Sequence, residues 1–345
     1  MIPVAILGGS GYTGVELMRL IAGHPELELT AVSSRQYQGQ GVASLFGALE
    51  GTMDLAFCAP DPQALARAAR LVFLAVPHQT AMASAPDLLA AGAKVVDLSA
   101  DFRLRDRTIY EKWYAPHTAP QLLAEAVYGL CEHYRAQIKT ARLVANPGCY
   151  VTSVLMALIP LLKKGLISAE GLIADSASGV SGAGRKAKEA LLHGEVAENF
   201  KAYAVAGHRH TPEMEQELSL AAGQEVRLTF TPHLLPMDRG ILSTIYAAPL
   251  GGCGEDQVRA AWQEAYGAEP FVRVLAKGAL PATKEVRGSN RVQLGAAMDP
   301  RSGLLKLFSA LDNLTKGASG QAVQNANLML GLEETAGLGE LALTP

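Results

Sequence analysis

Over the first third of the chain, short apolar runs alternate with stretches whose apolar residues recur at helical spacing. Val4–Leu7, Leu71–Val76 and Lys94–Leu98 are runs of the kind buried parallel strands require, Leu27–Ser33 is a further strand, and Leu143–Ala145 is a last short one. Between them, Gly14–Ala22 places Val15, Met18, Ile21 and Ala22 on one helical face, and Thr80–Ala91 is also helical in character. Strand alternating with helix predicts an α/β domain of the Rossmann type, built on a parallel sheet.

Past Cys149 the pattern changes. Val151–Lys164 predicts a long helix with an apolar face, after which strands dominate at Gly171–Ser176, Val226–Thr231, Gly240–Ala247, Asn290–Ala297 and Leu304–Ala310. Helices are expected near Arg185–His193, Thr211–Ala221 and Glu255–Tyr266. Grouped strands with occasional helices predict an α+β second domain built on a mixed or antiparallel sheet. Gly320–Leu330 is a final helix, long enough to cover a face of the first domain. The expected division is a dinucleotide-binding domain over 1–148, a second domain over 149–316, and a C-terminal helical segment, about 317–345, that returns to the first.

Composition narrows the partners. A chain of 345 residues exceeds one compact core of common size, which agrees with two domains. Its 30 basic and 33 acidic side chains leave a net charge of −3, so neither nucleic acid nor an anionic membrane is an expected partner. The 34 glycines follow no G-X-Y period, which excludes collagen and points to tight turns. Cys58, Cys131, Cys149 and Cys253 are too sparse for a disulfide framework and lack metal-ligand spacing. The N-terminal MIPVAILGGSGYTG has no basic leader, and the longest later apolar run, Val154–Leu162, includes Pro160 and is less than half a bilayer span. The expectation is a cytoplasmic protein.

The turn between the first strand and first helix reads Gly8-Gly9-Ser10-Gly11-Tyr12-Thr13-Gly14. Small residues there let backbone amides approach a pyrophosphate, and the helix N-terminus adds positive potential; the alternative is a tight turn with no ligand. At the end of the second strand, where an NAD-selective site places a carboxylate, stand Ser33, Ser34 and Arg35. Hydroxyls beside a guanidinium suit the 2′-phosphate of NADP(H), against the plainer reading of a solvated turn.

Cys149 follows Asn146-Pro147-Gly148 and opens a helix, whose N-terminus favours the thiolate. It falls at the expected seam of the two domains, whereas the other three cysteines have no comparable setting. A thiolate working with a nicotinamide suggests acyl transfer to sulfur followed by hydride reduction, or the reverse. His208 and His210 supply acid/base candidates ahead of a helix that Thr211 would cap and Pro212 would start. In an extended lead-in the two histidines share a side, and His210, nearer the cap, is the favoured base. With no cysteine or carboxylate at zinc-like spacing, no metal is expected. For anion binding, Arg103 follows a strand end in Ser99-Ala100-Asp101-Phe102-Arg103, and Ser181, Gly182 and Lys186 lie in the glycine-rich loop from Ser178 to Lys186.

Together these motifs resemble the N-acetyl-gamma-glutamyl-phosphate reductases, a family related to the aspartate-semialdehyde dehydrogenases. The resemblance runs nearly end to end, through GGSGYTGVELMRL at 8–20, VDLSADFRL at 96–104, NPGCYVT at 146–152, SGVSGAGRKA at 178–187, GHRHTPE at 207–213, TPHLLPMDRGIL at 231–242 and DNLTKGASGQAVQNAN at 312–327. It implies NADPH-dependent reduction of N-acetyl-L-glutamyl 5-phosphate in arginine biosynthesis, with Cys149 as nucleophile and a histidine of HRH as acid/base. It also implies that the second domain carries catalysis and the contacts of a homo-oligomer, a dimer or tetramer. On this reading Arg103 and Lys186 meet the substrate phosphate, Arg239 its carboxylate, and Asn313 and Lys316 the nicotinamide end. Reductases of lysine biosynthesis that act on a carrier-linked aminoadipyl phosphate, aspartate-semialdehyde dehydrogenase-like enzymes and a non-enzymatic NADP-sensing module are the competing readings. The NPGCYVT and PHLLPM segments follow the arginine branch.

Overall fold

Strands with both faces apolar can rest only inside a sheet covered on two sides. In the computed structural model, which describes residues 1–343, the chain forms two units, one of residues 1–147 with 318–339, the other of residues 148–317 with 340–343. The last two positions of the expected 317–345 segment lie outside the described residues.

The first unit holds six parallel strands: β1 (Ile2–Leu7), β2 (Leu27–Ser33), β3 (Leu71–Leu74), β4 (Lys94–Asp97), β5 (Val127–Tyr128) and β6 (Leu143–Ala145). Their order is β2-β1-β3-β4-β6-β5, all in parallel register. The connections leave β1 in opposite directions toward β2 and β3, which makes the end of β1 the switch point where open sheets bind ligands. Every residue of β3 is fully buried, and one core layer joins Val72, Leu74 and Val95 to Leu65, Ala85 and Leu88 of the helices Pro62–Ala68 and Ala81–Ala90. The helix Gly320–Leu330 belongs to this unit and is buried through Met329. Asn327 of this helix is 3.0 Å from the His24 ring nitrogen, and Asn325 donates to the Gly129 carbonyl at 2.9 Å.

The second unit holds seven strands: β7 (Leu172–Gly179), β8 (Lys201–Ala202), β9 (Leu228–Leu235), β10 (Ile241–Ala247), β11 (Val272–Val274), β12 (Val292–Asp299) and β13 (Leu304–Leu311). Their order is β11-β12-β13-β10-β7-β9-β8, and the sheet is mixed because β7 runs parallel to β9 but antiparallel to β10. Ser243, Ile245 and Ala247 point to the covered face, against the helix Cys149–Lys163, which is buried all round from Tyr150 to Leu162. The alternate residues Leu242, Thr244 and Tyr246 remain partly exposed on the other face, with Phe308 and Ile173 beside them in register.

The α/β and mixed-sheet classes agree with the sequence reading, while several elements differ. The Cys149 helix begins two residues before the expected Val151, because extended Gly148 serves as its N-cap. The expected helix over 185–193 is replaced by the single turns Glu189–Leu191 and His193–Val196, with extended Leu192 between them. Lys186, Lys188 and Glu189 are exposed there, and a helix with no face to bury gains too little to form. The helix Cys131–Thr140 has no counterpart in the expectation, since Cys131 and Ile138 are its only buried residues.

Candidate active site

Gly148 is extended (φ −67°, ψ 151°) and leads directly into the helix that Cys149 opens. The Gly148 amide donates to Glu213 Oε1 at 3.0 Å, and its carbonyl accepts from the Thr152 amide at 2.9 Å and the Thr152 hydroxyl at 3.1 Å. The His210 imidazole lies across this residue: a Cβ added to Gly148 would come within 2.6 Å of His210 Nε2. From the other side, a Cβ on Gly317 would approach the Cys149 Cβ to 2.8 Å. Two glycines thus let an imidazole and a loop close on the start of the cysteine helix. All four cysteines are thiols.

His208 and His210 do come together, though not through an extended lead-in. Residues 204–207 and 209–210 are turns, His210 is in the helical region (φ −80°, ψ −15°), and it takes the N-cap position expected of Thr211. The His210 amide donates to His208 Nδ1 at 3.1 Å, and the two rings lie 4.8 Å apart. Tyr150, Tyr203 and Phe230 pack edge-on against His208 at 5.6, 5.6 and 5.3 Å. Burial in this aromatic box, reinforced by the charge of Arg209, pushes the His208 pKa down to about 4. His208 is therefore neutral at pH 7, with Nδ1 accepting and the proton on Nε2. Tyr203 donates to the Tyr150 hydroxyl at 3.2 Å, which donates to the His233 carbonyl at 3.0 Å. Burial holds both phenols above their ordinary range, Tyr203 at about 12.

A second cluster of the same unit joins three distant segments. Asn313 Nδ2 donates to Ser181 Oγ at 2.9 Å, and Asn313 Oδ1 accepts from the Gly240 amide at 2.7 Å. Arg239 grips fully buried Asp312 with Nε at 2.9 Å and Nη2 at 3.0 Å, and also reaches Thr315 Oγ1 at 3.0 Å. Asp312 further accepts the amides of Gly288, Leu314 and Thr315. Lys316 is fully buried, its ammonium 5.8 Å above the Phe271 ring. Gly182 and Lys186 are exposed.

In the first unit, Gly8 turns the chain with a positive φ of 93°, and a Cβ on Gly14 would lie 2.4 Å from the Gly9 carbonyl oxygen. The glycines therefore shape a tight turn into the helix Tyr12–Ala22, whose N-cap Gly11 would have open space around a Cβ. No side chain caps this helix, so its first-turn amides suit a pyrophosphate. Ser33 and Ser34 are buried: the Ser33 hydroxyl accepts the Gly8 amide at 3.2 Å, and the Ser34 hydroxyl donates to Ser10 at 3.0 Å. Arg35 is exposed. Arg103, also of the first unit, is buried and donates through Nε to the Asn146 carbonyl at 2.7 Å and through Nη2 to the Leu98 carbonyl at 2.8 Å. Burial, then the neighbouring Asp101 carboxylate, raises the pKa of Asp97 at the end of β4.

Glu213, Asp312, Tyr150 and Gly317 were not singled out from the sequence. Only Glu213 carried a local signal, as an acidic residue in the first turn of the helix that follows His210. Among the described residues no group of three or more histidines, cysteines and carboxylates could hold a metal, and no helix is long and apolar enough to cross a membrane.

Comparison with known proteins covers both units. The profile of the semialdehyde dehydrogenase NAD binding domain matches residues 3–141, and that of the semialdehyde dehydrogenase dimerisation domain matches 149–313. The N-acetyl-gamma-glutamyl-phosphate reductases of Geobacter sulfurreducens and Desulfotalea psychrophila are 54% and 53% identical, each aligned over 346 positions that cover 100% of both chains. Among solved structures, aspartate semialdehyde dehydrogenase II of Vibrio cholerae in complex with ASA superposes with a TM-score of 0.72 at 16% identity, covering 96% of this chain and 98% of that one. Aspartate semialdehyde dehydrogenase with NADP from Candida albicans gives 0.71 at 16% identity, covering 96% and 98%. These two likenesses concern the fold.

Proposed function

The chain belongs to the semialdehyde dehydrogenase family and, within it, to the N-acetyl-gamma-glutamyl-phosphate reductases, and from that premise we propose how its residues carry the reaction. It reduces N-acetyl-L-glutamyl 5-phosphate to N-acetyl-L-glutamate 5-semialdehyde and phosphate in arginine biosynthesis. The observation that carries the assignment of roles is the convergence at Gly148, where a cysteine opens a helix beneath a histidine ring.

His210 accepts the thiol proton, and the helix N-terminus stabilises the resulting thiolate. Neutral, buried His208 holds the His210 backbone and leaves the proton transfer to His210. Cys149 sulfur attacks the γ-carbonyl carbon, the C–O bond to phosphate breaks, and the acyl group remains on sulfur as a thioester. Exposed Lys186 binds the phosphate as it leaves. A nicotinamide cofactor, when bound, would supply hydride to the thioester carbon. As the C–S bond then breaks, His210 returns its proton to the departing sulfur. Ser181, Gly182, Asn313 and Arg239 shape the substrate end, with Arg239 directed at the carboxylate and held in plane by Asp312. Lys316 and Asn313 are the residues assigned to the nicotinamide end.

The glycine turn Gly8–Gly14, with Ser10, Gly11, Tyr12 and Thr13, is the pyrophosphate cradle, and the preferred dinucleotide is NADPH. Ser33 and Ser34 hold the turn with their hydroxyls, so Arg35 carries most of the discrimination. Replacing Arg35 by alanine is expected to raise KM for NADPH about 10- to 100-fold, the worth of a charge-assisted hydrogen bond of about 1.5–3 kcal/mol, while KM for NADH stays within about twofold. Equal effects on both cofactors overturn this assignment.

The second unit is a dimerisation domain, and its half-exposed sheet face with Leu242, Tyr246, Phe308 and Ile173 is placed against a second copy as a homodimer or, with further contacts, a homotetramer. Tyr246→Glu would bury a charge in that contact and is expected to yield monomers at micromolar concentration in analytical ultracentrifugation; an unchanged oligomer places the interface elsewhere. The thiols suit a reducing compartment, so the enzyme is placed in the cytoplasm.

The direct test supplies free N-acetyl-L-glutamate 5-semialdehyde, phosphate and NADP and follows NADPH formation. Efficient turnover without any carrier protein is the expected result. No turnover until a carrier-linked substrate is offered would move the chain to the lysine branch.

A further inference from the structure

The turn from β3 into the helix Ala81–Ala90 runs over Ala75–Thr80 and lies against the glycine turn of the same unit. A Cβ on Gly8 would stand 2.6 Å from the Ala75 carbonyl oxygen and 2.9 Å from Val76 Cγ1. β1 and β3 are neighbours at the switch point, so this turn borders the dinucleotide crevice. Its backbone is not the one its sequence prefers. Gln79 has a φ of 74°, a left-handed conformation that glycine adopts freely and a residue with a side chain adopts at a cost. Asp101, fully buried and 22 positions away, meets that conformation with both carboxylate oxygens. Oδ1 accepts the Gln79 amide at 2.8 Å and the Tyr110 hydroxyl at 2.8 Å, and Oδ2 accepts the Met82 amide at 3.0 Å. Thr80, the N-cap of the helix, gives it no side-chain hydrogen bond, so Asp101 supplies the cap from another segment.

We propose that Asp101 is a positioning residue for the cofactor: it holds Gln79 left-handed and so sets the Ala75–Thr80 turn in the shape that receives the dinucleotide. The assignment rests on reading Gly8–Gly14 as the pyrophosphate cradle. The carboxylate meets no cofactor atom in this role, and its own place is fixed in turn. Burial, then the Asp101 carboxylate, holds the Tyr110 phenol above its ordinary range, so the hydroxyl keeps its proton and donates it. His117 accepts the Ala119 amide on Nδ1 at 3.1 Å, which leaves the proton on Nε2 for the Asp101 carbonyl at 2.7 Å. A second grip joins the same two segments, since the Ala100 amide donates to His78 Nδ1 at 3.0 Å. Asparagine cannot replace Asp101. Whichever way its side-chain amide lay, the backbone N–H of Gln79 or of Met82 would face another donor.

The experiment reads cofactor binding apart from chemistry. In the semialdehyde assay, Asp101→Asn is expected to raise KM for NADP about tenfold, the lower end of what a hydrogen bond to a charged group is worth. The Kd for NADPH, from a fluorescence titration, should rise in step, while kcat and KM for phosphate stay within about twofold. Adding Gln79→Gly removes the need for the carboxylate, because glycine takes a φ of 74° unaided. The double variant Asp101→Asn/Gln79→Gly is therefore expected to bring KM for NADP back to within about threefold of the parent. A general loss of packing would not be rescued by glycine at 79. Parent KM in Asp101→Asn overturns the proposal, as does a fall in kcat with KM unmoved, or a rise in KM that Gln79→Gly leaves as it is. Should Asp101→Asn not fold, hydrogen exchange of the parent enzyme without cofactor carries the test. The Gln79 and Met82 amides are expected to be protected, and exchange of both at the rate of unstructured chain is the overturning result. Gly14→Ala tests the premise separately. Its methyl would stand 2.4 Å from the Gly9 carbonyl oxygen, and parent affinity for NADPH there would bring down the cradle itself, independently of Asp101.

Discussion

Replacing Cys149 by serine is expected to reduce phosphate-dependent oxidation of the semialdehyde by about four to six orders of magnitude, the scale on which a covalent nucleophile is worth, with cofactor binding unchanged. The substitution exchanges one atom. The Cβ that packs on Gly317 stays in place, and the helix start at Gly148 keeps its hydrogen bonds to Glu213 and Thr152. What changes is chemical: a hydroxyl is far harder to ionise than a thiol near neutral pH, and an oxygen ester does not pass its acyl group to hydride as a thioester does. Steady-state assays report the loss, and fluorescence titration with NADPH reports retained binding in the other unit. Trapping labelled acyl enzyme supplies the positive control, since wild-type chain offered acyl phosphate without cofactor should retain the label and the serine variant should not. Turnover within about tenfold of wild type would remove the covalent mechanism altogether.

The strands were legible where burial is one-dimensional. Leu71–Leu74 is apolar at every position because both of its faces are covered, and such a run announces itself without knowledge of its neighbours. Cys149 was legible for a related reason: Gly148 before it and a long apolar helix after it define a helix N-terminus within a few residues of chain. The expected helix over 185–193 failed because helical spacing says nothing about whether a partner surface exists to bury the face.

Site details were hidden where they depend on long-range contacts. Ser33 and Ser34 look like ligand groups in the sequence, yet their hydroxyls turn inward to brace the glycine turn, Ser33 on the Gly8 amide and Ser34 on Ser10. Whether His208 or His210 titrates depends on an aromatic box assembled from Tyr150, Tyr203 and Phe230, which come from three separate segments. The bond from Gly148 to Glu213 spans 65 positions, so no local pattern could disclose it. Arg239 could be read from the sequence as a cation near the substrate, but its fork on Asp312, 73 positions away, is a tertiary fact.

Gly148→Ala carries the second large effect, and the local backbone makes it a clean experiment. At φ −67° and ψ 151° alanine is as comfortable as glycine, so no conformational strain accompanies the change. The entire penalty is steric, because the new methyl would stand 2.6 Å from His210 Nε2 and 2.8 Å from Cε1. The ring must move away from Cys149, and kcat is expected to fall about 100-fold, the cost of an ångström-scale displacement of a reacting group, while the protein stays folded and binds NADPH normally. If displacement of His210 is the whole cause, the methyl costs nothing further once the imidazole is gone. The double variant Gly148→Ala/His210→Ala should then turn over at the rate of His210→Ala alone, a coupling that a double-mutant cycle measures directly. Losses that multiply in the double variant would show that the methyl acts on the cysteine helix itself, and the role given to the His210 ring would have to be withdrawn.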